Sequence, residues 1–212
     1  MEKKIKVLNL YAGVGGNRKL WENVEVTAIE YDENIAATYK HFFPNDEVIV
    51  CDAHKYLVEH YKEFDFIWAS PPCQSHSRIR FMNQTQNKPI YPDMKLYQEI
   101  LFLKHYFKGL WVVENVKGFY EPLIVPQTIG SHYYWSNYKI PVKIERESRK
   151  HNGTIAEKEK RKGFDLSNIN GIDKQQVLRN CVEPEMGLYV FECSGKQKQY
   201  SLNNFKKQMD ND

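Results

Sequence analysis

Five short apolar runs constrain the fold of this chain more than any other feature of its sequence. They are mainly apolar and lack helical spacing, which is typical of strands covered on both sides of a parallel sheet. Segments with helical spacing separate several of the runs. This alternation predicts an α/β fold with a mostly parallel central sheet flanked by helices and a ligand at the carboxyl ends of the strands. The runs are Ile5 to Leu10, Val24 to Ile29, Val48 to Cys51, Phe64 to Ala69 and Leu110 to Val113.

Helical spacing is clearest from Met94 to Phe107, where apolar residues recur on one face. The spacing returns from Gln175 to Phe191, within which Pro184 predicts a kink or a restart. The pattern predicts three further, shorter helices, Arg18 to Glu22, Asp32 to Phe43 and Tyr56 to Tyr61.

Composition narrows the class of protein. The 212 residues are 42% apolar, enough for one compact domain with a substantial core. We expect an intracellular, cytoplasmic protein without a membrane partner, because the chain has neither a long uncharged apolar stretch nor an initial signal segment. The four cysteines form no C-x-x-C pair, so we expect reduced thiols and no metal. A net charge of +3 neither indicates nor excludes binding to nucleic acid.

Two segments interrupt the alternation. The polar segment from Gln74 to Pro92 is longer than most loops, and such loops are usually functional or mobile. The stretch from Lys143 to Asn170 also reads as irregular, and its first twenty residues carry eight lysines and arginines against four glutamates. A solvated linker and a phosphate-binding loop explain that charge equally well. We therefore divide the chain into a core (1–142), a basic insertion or minimal recognition region (143–174), a segment returning to the core (175–196) and a polar tail (197–212).

Three glycines follow the first apolar run, and an acidic residue ends the second. A glycine-rich turn between strand and helix lets a ligand approach the backbone closely, as expected of Gly13, Gly15 and Gly16. Glu30 is spaced to accept hydrogen bonds from ribose hydroxyls, while Asp52, after the third run, suits an adenine amino group. The glycines alone also fit a structural turn or a dinucleotide site, and Asp52 also fits a helix N-cap.

A cysteine and a glutamate follow the fourth and fifth runs. Pro71 and Pro72 restrict the backbone before Cys73, which suits a nucleophile, although an isolated cysteine is more often a small core residue. Glu114 ends an apolar run, where a carboxylate tends to hold a proton or to bind a donor such as a heterocyclic ring nitrogen. An ion pair with Lys117, or a cap on the next segment, is the alternative for Glu114.

The order of these motifs resembles the DNA cytosine-5 methyltransferase family. Tyr11 to Gly16, Ala28 to Asp32, Pro71 to Gln74 and Glu114 to Val116 resemble its motifs I, II, IV and VI. Val125-Pro126-Gln127 resembles the start of motif VIII, and Leu178 to Val182 resembles part of motif X. The resemblance covers roughly residues 5 to 192.

The resemblance implies a Rossmann-like class I methyltransferase fold, S-adenosyl-L-methionine as cofactor, and DNA as the partner, with the target base flipped out of the helix. It implies Cys73 as the nucleophile that attacks carbon 6 of cytosine and Glu114 as the group that stabilises the protonated ring nitrogen. Implied cofactor-binding residues are Tyr11, Gly13, Gly15, Gly16, Glu30, Tyr31, Asp52 and Asn180. Implied substrate-binding residues are Pro72, Gln74, Ser77, Arg78, Arg80, Asn115, Gln127 and His132.

Two departures from the family pattern keep other functions open. The arginines that usually follow the motif VIII glutamine are absent, which leaves His132 as a candidate donor. Only about forty residues, Asn137 to Gln176, stand where family members carry a target-recognition domain. The alternatives are an RNA cytosine-5 methyltransferase and a binding module or incomplete enzyme that requires a second protein subunit.

Overall fold

A computed structural model of the chain describes residues 4–78, 90–142 and 153–195. These residues form a seven-stranded sheet with the strand order β3-β2-β1-β4-β5-β7-β6. The α/β fold predicted from the sequence is confirmed, with a mostly parallel, Rossmann-like sheet between helices. The strands are β1 (Ile5–Leu10), β2 (Val24–Glu30), β3 (Glu47–Val50), β4 (Phe66–Ala69), β5 (Leu110–Val116), β6 (Gln127–Ile129) and β7 (His132–Ser136).

All five predicted strands exist and pair in parallel. β1 lies at the centre, between β2 and β4, with Leu10 opposite both Ile29 and Ala69. The chain therefore winds outward from β1 in one direction through β2 and β3, and in the other through β4 and β5. Ligands of such sheets bind where the strand order reverses, at the carboxyl ends of the strands. The crevice between the ends of β1 and β4 is that point.

The sequence patterns did not predict the hairpin formed by β6 and β7. β7 pairs antiparallel with β5, with Glu114 opposite Tyr134 and Val116 opposite His132. A two-residue turn joins the strands, and Gly130 adopts φ +56° there, a conformation that glycine tolerates without strain. The aromatic run Tyr133-Tyr134-Trp135 was the available signal for a strand.

Four of the five predicted helical segments are present, the last of them as two helices, and α4 was not predicted. The helices are α1 (Glu33–Phe42), α2 (Ala53–His60), α3 (Lys95–Tyr106), α4 (Ile155–Lys162), α5 (Lys174–Asn180) and α6 (184–195). Asp32, Asp52 and Asp173 cap the first turns of α1, α2 and α5. The helix restarts at Pro184, the first residue of α6.

The helix predicted from Arg18 to Glu22 is wrong, because this segment forms turns. Arg18 donates to both carboxylate oxygens of Asp46 and to the carbonyl of Trp21. The buried Trp21 indole donates to the carbonyl of Gly187 at 3.2 Å. These distant partners set the local conformation, and no local sequence pattern reports them.

The irregular structure expected from Lys143 to Asn170 is also wrong where the chain is described, since α4 lies within it. Thr154 and Glu157 form a capping box, and Gly163 ends the helix at φ +67°. Lys158 and Lys162 are each only 3% exposed, and Arg161 and Lys162 both pair with Glu183. Those three basic side chains therefore pack within the protein. Residues 143–152, and the tail from 196 onward, lie outside the described residues.

Two apolar clusters fill the two faces of the sheet. One includes Leu8 and Ile67 and is covered by α2 and α3, while the other includes Val7 and Trp68 and is covered by α6. Side chains of a strand alternate between the two clusters, as the period of a strand requires. Among the described residues, no helix has the length and apolar character needed to span a membrane.

Candidate active site

The sheet topology brings five sequence motifs to one edge. The glycine turn follows β1, Glu30 ends β2, Asp52 follows β3, Cys73 follows β4 and Glu114 lies in the last half of β5. Because β1 to β5 are parallel, their carboxyl ends meet along the same edge of the sheet. Residues from five separate parts of the sequence therefore lie along one edge of the sheet.

The glycine turn presents an open backbone at its centre. Gly13 has φ +56°, and nothing lies within 4 Å of the position that a Cβ would occupy. Its amide donates to Oε2 of Glu30 at 2.9 Å. Glu30 Oε1 accepts from the amides of Tyr31 and Asp32, while the Tyr31 side chain is 77% exposed. A hydrogen bond thus joins the glycine turn to the end of β2.

The other two glycines serve packing. A Cβ on Gly15 would overlap the rings of Phe43 and Tyr39, and a Cβ on Gly16 would overlap the carbonyl oxygen of Val182 and the sulfur of Cys181. The segment that resembles motif X therefore returns to the glycine turn. Asn180 is exposed at the end of α5, one residue before this contact.

These environments predict different costs for two glycine substitutions. Gly16→Ala is expected to lower the free energy of unfolding by about 2–3 kcal/mol, because the methyl group meets backbone that cannot rotate away. Gly13→Ala is expected to cost only about 1 kcal/mol, since it has space and suffers only the left-handed backbone. Urea unfolding of the two variants measures the difference. Equal losses would contradict the packing role of Gly16.

Asp52 combines a structural role with an accessible position. Its Oδ1 accepts from the amide of Lys55 at 2.9 Å, so the N-cap interpretation is confirmed. The residue is exposed, at the carboxyl end of the strand beside Glu30. Two carboxylates on adjacent strand ends, next to an open glycine turn, fit the ribose and adenine of an adenosyl group.

Cys73 lies in a loop anchored on both sides. Its carbonyl accepts from the amides of His76 and Ser77, each at 3.0 Å. The buried Asn115 amide donates to the carbonyl of Pro71 at 3.0 Å, which joins this loop to β5. The thiol is partly exposed. Burial, and next the negative charge of Glu114, raise the pKa of the Cys73 thiol.

Glu114 is 7% exposed and is held by its neighbours. Ser70 donates its hydroxyl to Oε2 at 3.0 Å, and the Trp68 indole donates to that hydroxyl at 2.9 Å. Nε2 of His132 lies 3.7 Å from Oε1. The partners of Glu114 are thus Ser70 and His132 rather than Lys117, the residue that the ion-pair alternative named.

The remaining residues expected to bind substrate fall into different environments. Pro72, Gln74 and Arg78 are exposed. Ser77 pairs with Gly118, whose carbonyl also accepts from Arg78 Nε. Gln127 has an internal role, because its amide group bonds to Ser136, Tyr138 and Ile140 and thereby supports the hairpin. Arg80 lies outside the described residues.

Sequence reasoning missed the side chains that anchor the loop of Cys73. His76 is 2% exposed, its Nδ1 lies 2.7 Å from the Tyr120 hydroxyl, and its carbonyl accepts from Phe119. Burial lowers the pKa of this imidazole. His76 therefore ties the loop of Cys73 to the segment that follows Glu114. A histidine in a polar loop carries no sequence signal for such burial.

Within 4–78, 90–142 and 153–195, no three or more histidine, cysteine or acidic side chains are grouped so as to hold a metal ion.

The Rossmann-like fold agrees with the family that comparison with known proteins identifies. The C-5 cytosine-specific DNA methylase family matches residues 5–124. That match covers more than half of the chain, so the chain belongs to this family. S-adenosyl-L-methionine, which the motifs implied, is accordingly its cofactor.

The curated relatives include Type II methyltransferases and tRNA (cytosine(38)-C(5))-methyltransferases. The Type II methyltransferase M.Bsp6I of Bacillus sp. (strain RFL6) is 36% identical over 148 residues, which cover 64% of this chain and 45% of the relative. The tRNA (cytosine(38)-C(5))-methyltransferase of Homo sapiens is 30% identical over 125 residues, 54% of this chain and 31% of the relative. The chain thus spans less than half the length of these relatives. A solved mutant of Spodoptera frugiperda DNMT2 matches 55% of this chain and 37% of its own, with a TM-score of 0.42 and 25% identity.

Proposed function

We propose that the chain transfers a methyl group to carbon 5 of cytosine in DNA through a covalent adduct of Cys73 on a flipped-out base. The observation that carries the proposal is the pairing of Cys73 with Glu114. Cys73 follows β4, Glu114 lies in the adjacent parallel strand β5, Asn115 joins the two segments, and the negative charge of Glu114 raises the pKa of the thiol. A nucleophile beside a carboxylate that can stabilise a proton on the base is the pair this reaction needs.

The chemistry of the proposal follows from these two side chains. The Cys73 thiolate forms a bond to carbon 6, and the electron pair of the carbon 5–carbon 6 double bond shifts onto carbon 5. Glu114 stabilises the proton on nitrogen 3, which is conjugated with carbon 5 through carbon 4 and accommodates the displaced charge. S-adenosylmethionine, when bound, would supply the electrophilic methyl group that carbon 5 takes, with S-adenosylhomocysteine as the leaving group. Loss of the carbon 5 proton to a base then restores the double bond and expels the Cys73 thiolate.

His132 supports the substrate side of this site. It occupies β7 beside β5, and its Nε2 is 3.7 Å from the carboxylate of Glu114. We assign it the role of a donor to the pyrimidine, in place of the missing arginines. Arg78 is exposed beside the same loop and suits a phosphate contact that positions a strand without reading its sequence.

The proposed cofactor site is the surface formed by the glycine turn, by Glu30 at the end of β2 and by Asp52 after β3, which we term the cofactor wall. The open backbone at Gly13 allows close approach, Glu30 accepts from the ribose, and Asp52 accepts from the adenine amino group. Asn180 and Tyr31 are both exposed and are assigned to the rim of this wall, since Asn180 precedes the Cys181–Val182 contact with Gly16 and Tyr31 follows Glu30.

Two alternatives rest on specific observations. RNA as the substrate is favoured by the similarity to the human tRNA methyltransferase. A requirement for a second protein subunit is favoured by the absence of the arginines that usually follow the motif VIII glutamine.

A parallel transfer assay tests the proposal. The purified chain is incubated with labelled S-adenosylmethionine and, separately, with unmethylated genomic DNA and with total tRNA, and the nucleosides are analysed by mass spectrometry. We expect label in 5-methylcytosine of the DNA alone. Label confined to tRNA would show that RNA, and not DNA, is the substrate. Cofactor binding without transfer to either polymer would contradict independent activity and favour the two-part enzyme.

A further inference from the structure

A buried carboxylate lies close to the proposed cofactor wall, and the reaction described above does not use it. Glu99, on α3, is 0% exposed. Its Oε1 accepts from the Tyr11 hydroxyl at 2.6 Å and lies 3.2 Å from Nδ1 of His54. Its Oε2 is buried with no hydrogen-bond partner. Burial raises the pKa of Glu99, while Tyr11 and His54 act in the opposite direction. A buried carboxylate lowers the stability of the folded state unless hydrogen bonds or a charged partner compensate for the loss of water.

The first group that Glu99 holds is a strained residue. Tyr11 is one of only two residues other than glycine that have a positive φ within the described ranges, and its φ is 56°. A side chain in this conformation is sterically disfavoured and persists where the surroundings over-determine it. Tyr11 directly follows β1 and precedes Gly13 by two residues. The hydrogen bond from its hydroxyl to Glu99 therefore anchors the start of the glycine turn to α3.

The second group lies at the other end of the wall. His54 is in the first turn of α2, two residues after the N-cap Asp52. Through one oxygen, Glu99 thus contacts the turn after β1 and the helix after β3, the two segments that flank Glu30 in space.

We propose that Glu99 is a positioning residue for S-adenosylmethionine. Glu99 holds Tyr11 and His54 so that the glycine turn and Asp52 lie at the separation that the adenosyl group requires. The proposal rests on the assignment of the cofactor to this wall under the proposed function. It adds a residue of α3 that does not itself contact the cofactor.

Binding of S-adenosylmethionine and of S-adenosylhomocysteine, measured by calorimetry on the full chain, tests this role. Tyr11→Phe removes one hydroxyl and is expected to raise both dissociation constants about tenfold, the effect of losing a hydrogen bond to a charged group. Glu99→Gln keeps the shape and is expected to raise them three- to tenfold. In the double variant the two effects should not multiply, because Tyr11→Phe removes the contact that Glu99→Gln weakens.

Matched controls separate positioning from general stability. Glu63→Gln removes an exposed glutamate that pairs with His60 at 2.8 Å, and Tyr106→Phe removes the hydroxyl of a 61% exposed tyrosine on α3. Both controls should bind the cofactor as the parent chain does. Thermal unfolding without cofactor shows that each variant folds.

The outcomes are distinct. Dissociation constants within twofold of the parent for Tyr11→Phe and Glu99→Gln, alongside lowered unfolding temperatures, would show a merely structural carboxylate and overturn the proposal. If the changes in dissociation constant of the two single variants multiply fully in the double variant, Tyr11 and Glu99 do not act through a shared contact, and the proposal is overturned. A parent chain that binds the cofactor but methylates neither DNA nor RNA overturns the proposed function and leaves this inference standing. A parent chain that does not bind the cofactor overturns both.

Discussion

Cys73→Ala is expected to reduce methyl transfer by about 10⁴-fold or more, since removal of a nucleophile leaves no covalent route to the product. The substitution deletes one partly exposed sulfur atom. The loop is held through backbone groups and through Asn115, His76 and Tyr120, so its fold should persist. Binding of S-adenosylmethionine should therefore stay within about twofold of the parent value. Transfer of labelled methyl, with calorimetric binding in parallel, measures both quantities.

Cys51→Ala is the matched control, because Cys51 is also a partly exposed thiol that follows a strand of the same sheet. It should retain full transfer. DNA that carries 5-fluorocytosine provides a direct test, because fluorine on carbon 5 cannot leave as a proton and the cysteine adduct should accumulate. A covalent complex on a denaturing gel is expected from the parent chain and from Cys51→Ala. A covalent complex or substantial transfer from Cys73→Ala would contradict the assigned nucleophile.

Glu114→Gln is expected to change two properties of the site in opposite directions. Methyl transfer should fall by about 10²–10⁴-fold, since an amide cannot share a proton with the ring nitrogen as a carboxyl group can. Alkylation of Cys73 by iodoacetamide should become faster at neutral pH. The negative charge of Glu114 is the second cause, after burial, that raises the pKa of the thiol, and removing that charge lowers the pKa.

The sign of the pH dependence follows from the same shift. The reactive form of Cys73 is the thiolate, so the alkylation rate of the parent chain should increase with pH and level off only above the usual thiol pKa. In Glu114→Gln this curve should move to lower pH. Rates of Cys73 alkylation are followed by mass spectrometry of the peptide that contains it. Glu121→Gln, an exposed glutamate beyond β5, should change neither transfer nor the curve.

A Glu114→Gln variant that transfers methyl at the parent rate would remove the carboxylate from the mechanism. An unchanged alkylation curve would show that Glu114 does not act on the thiol. Methyl transfer and Cys73 alkylation are measured independently, so either prediction can fail while the other is confirmed.

The sequence alone determined the parts of this protein that depend on local pattern. β1 matches its predicted range of Ile5–Leu10, and β2 to β5 differ from theirs by at most a few residues, because a buried parallel strand must be apolar on both faces. The gathering of Gly13, Glu30, Asp52, Cys73 and Glu114 at one edge also followed from sequence, since parallel strands align their carboxyl ends. Helix caps at Asp32 and Asp52 are equally local.

Only the tertiary structure decided the features that depend on residues far apart in the chain. The segment from Arg18 to Glu22 forms turns because Asp46 and Gly187 hold it, and Lys162 is buried because Glu183 lies opposite. The contact between Gly16 and Val182, and that between Tyr11 and Glu99, each join positions with no shared periodicity. Local pattern encodes backbone conformation and burial, whereas the partner of a buried polar group is set by the packing of the whole sheet and its helices.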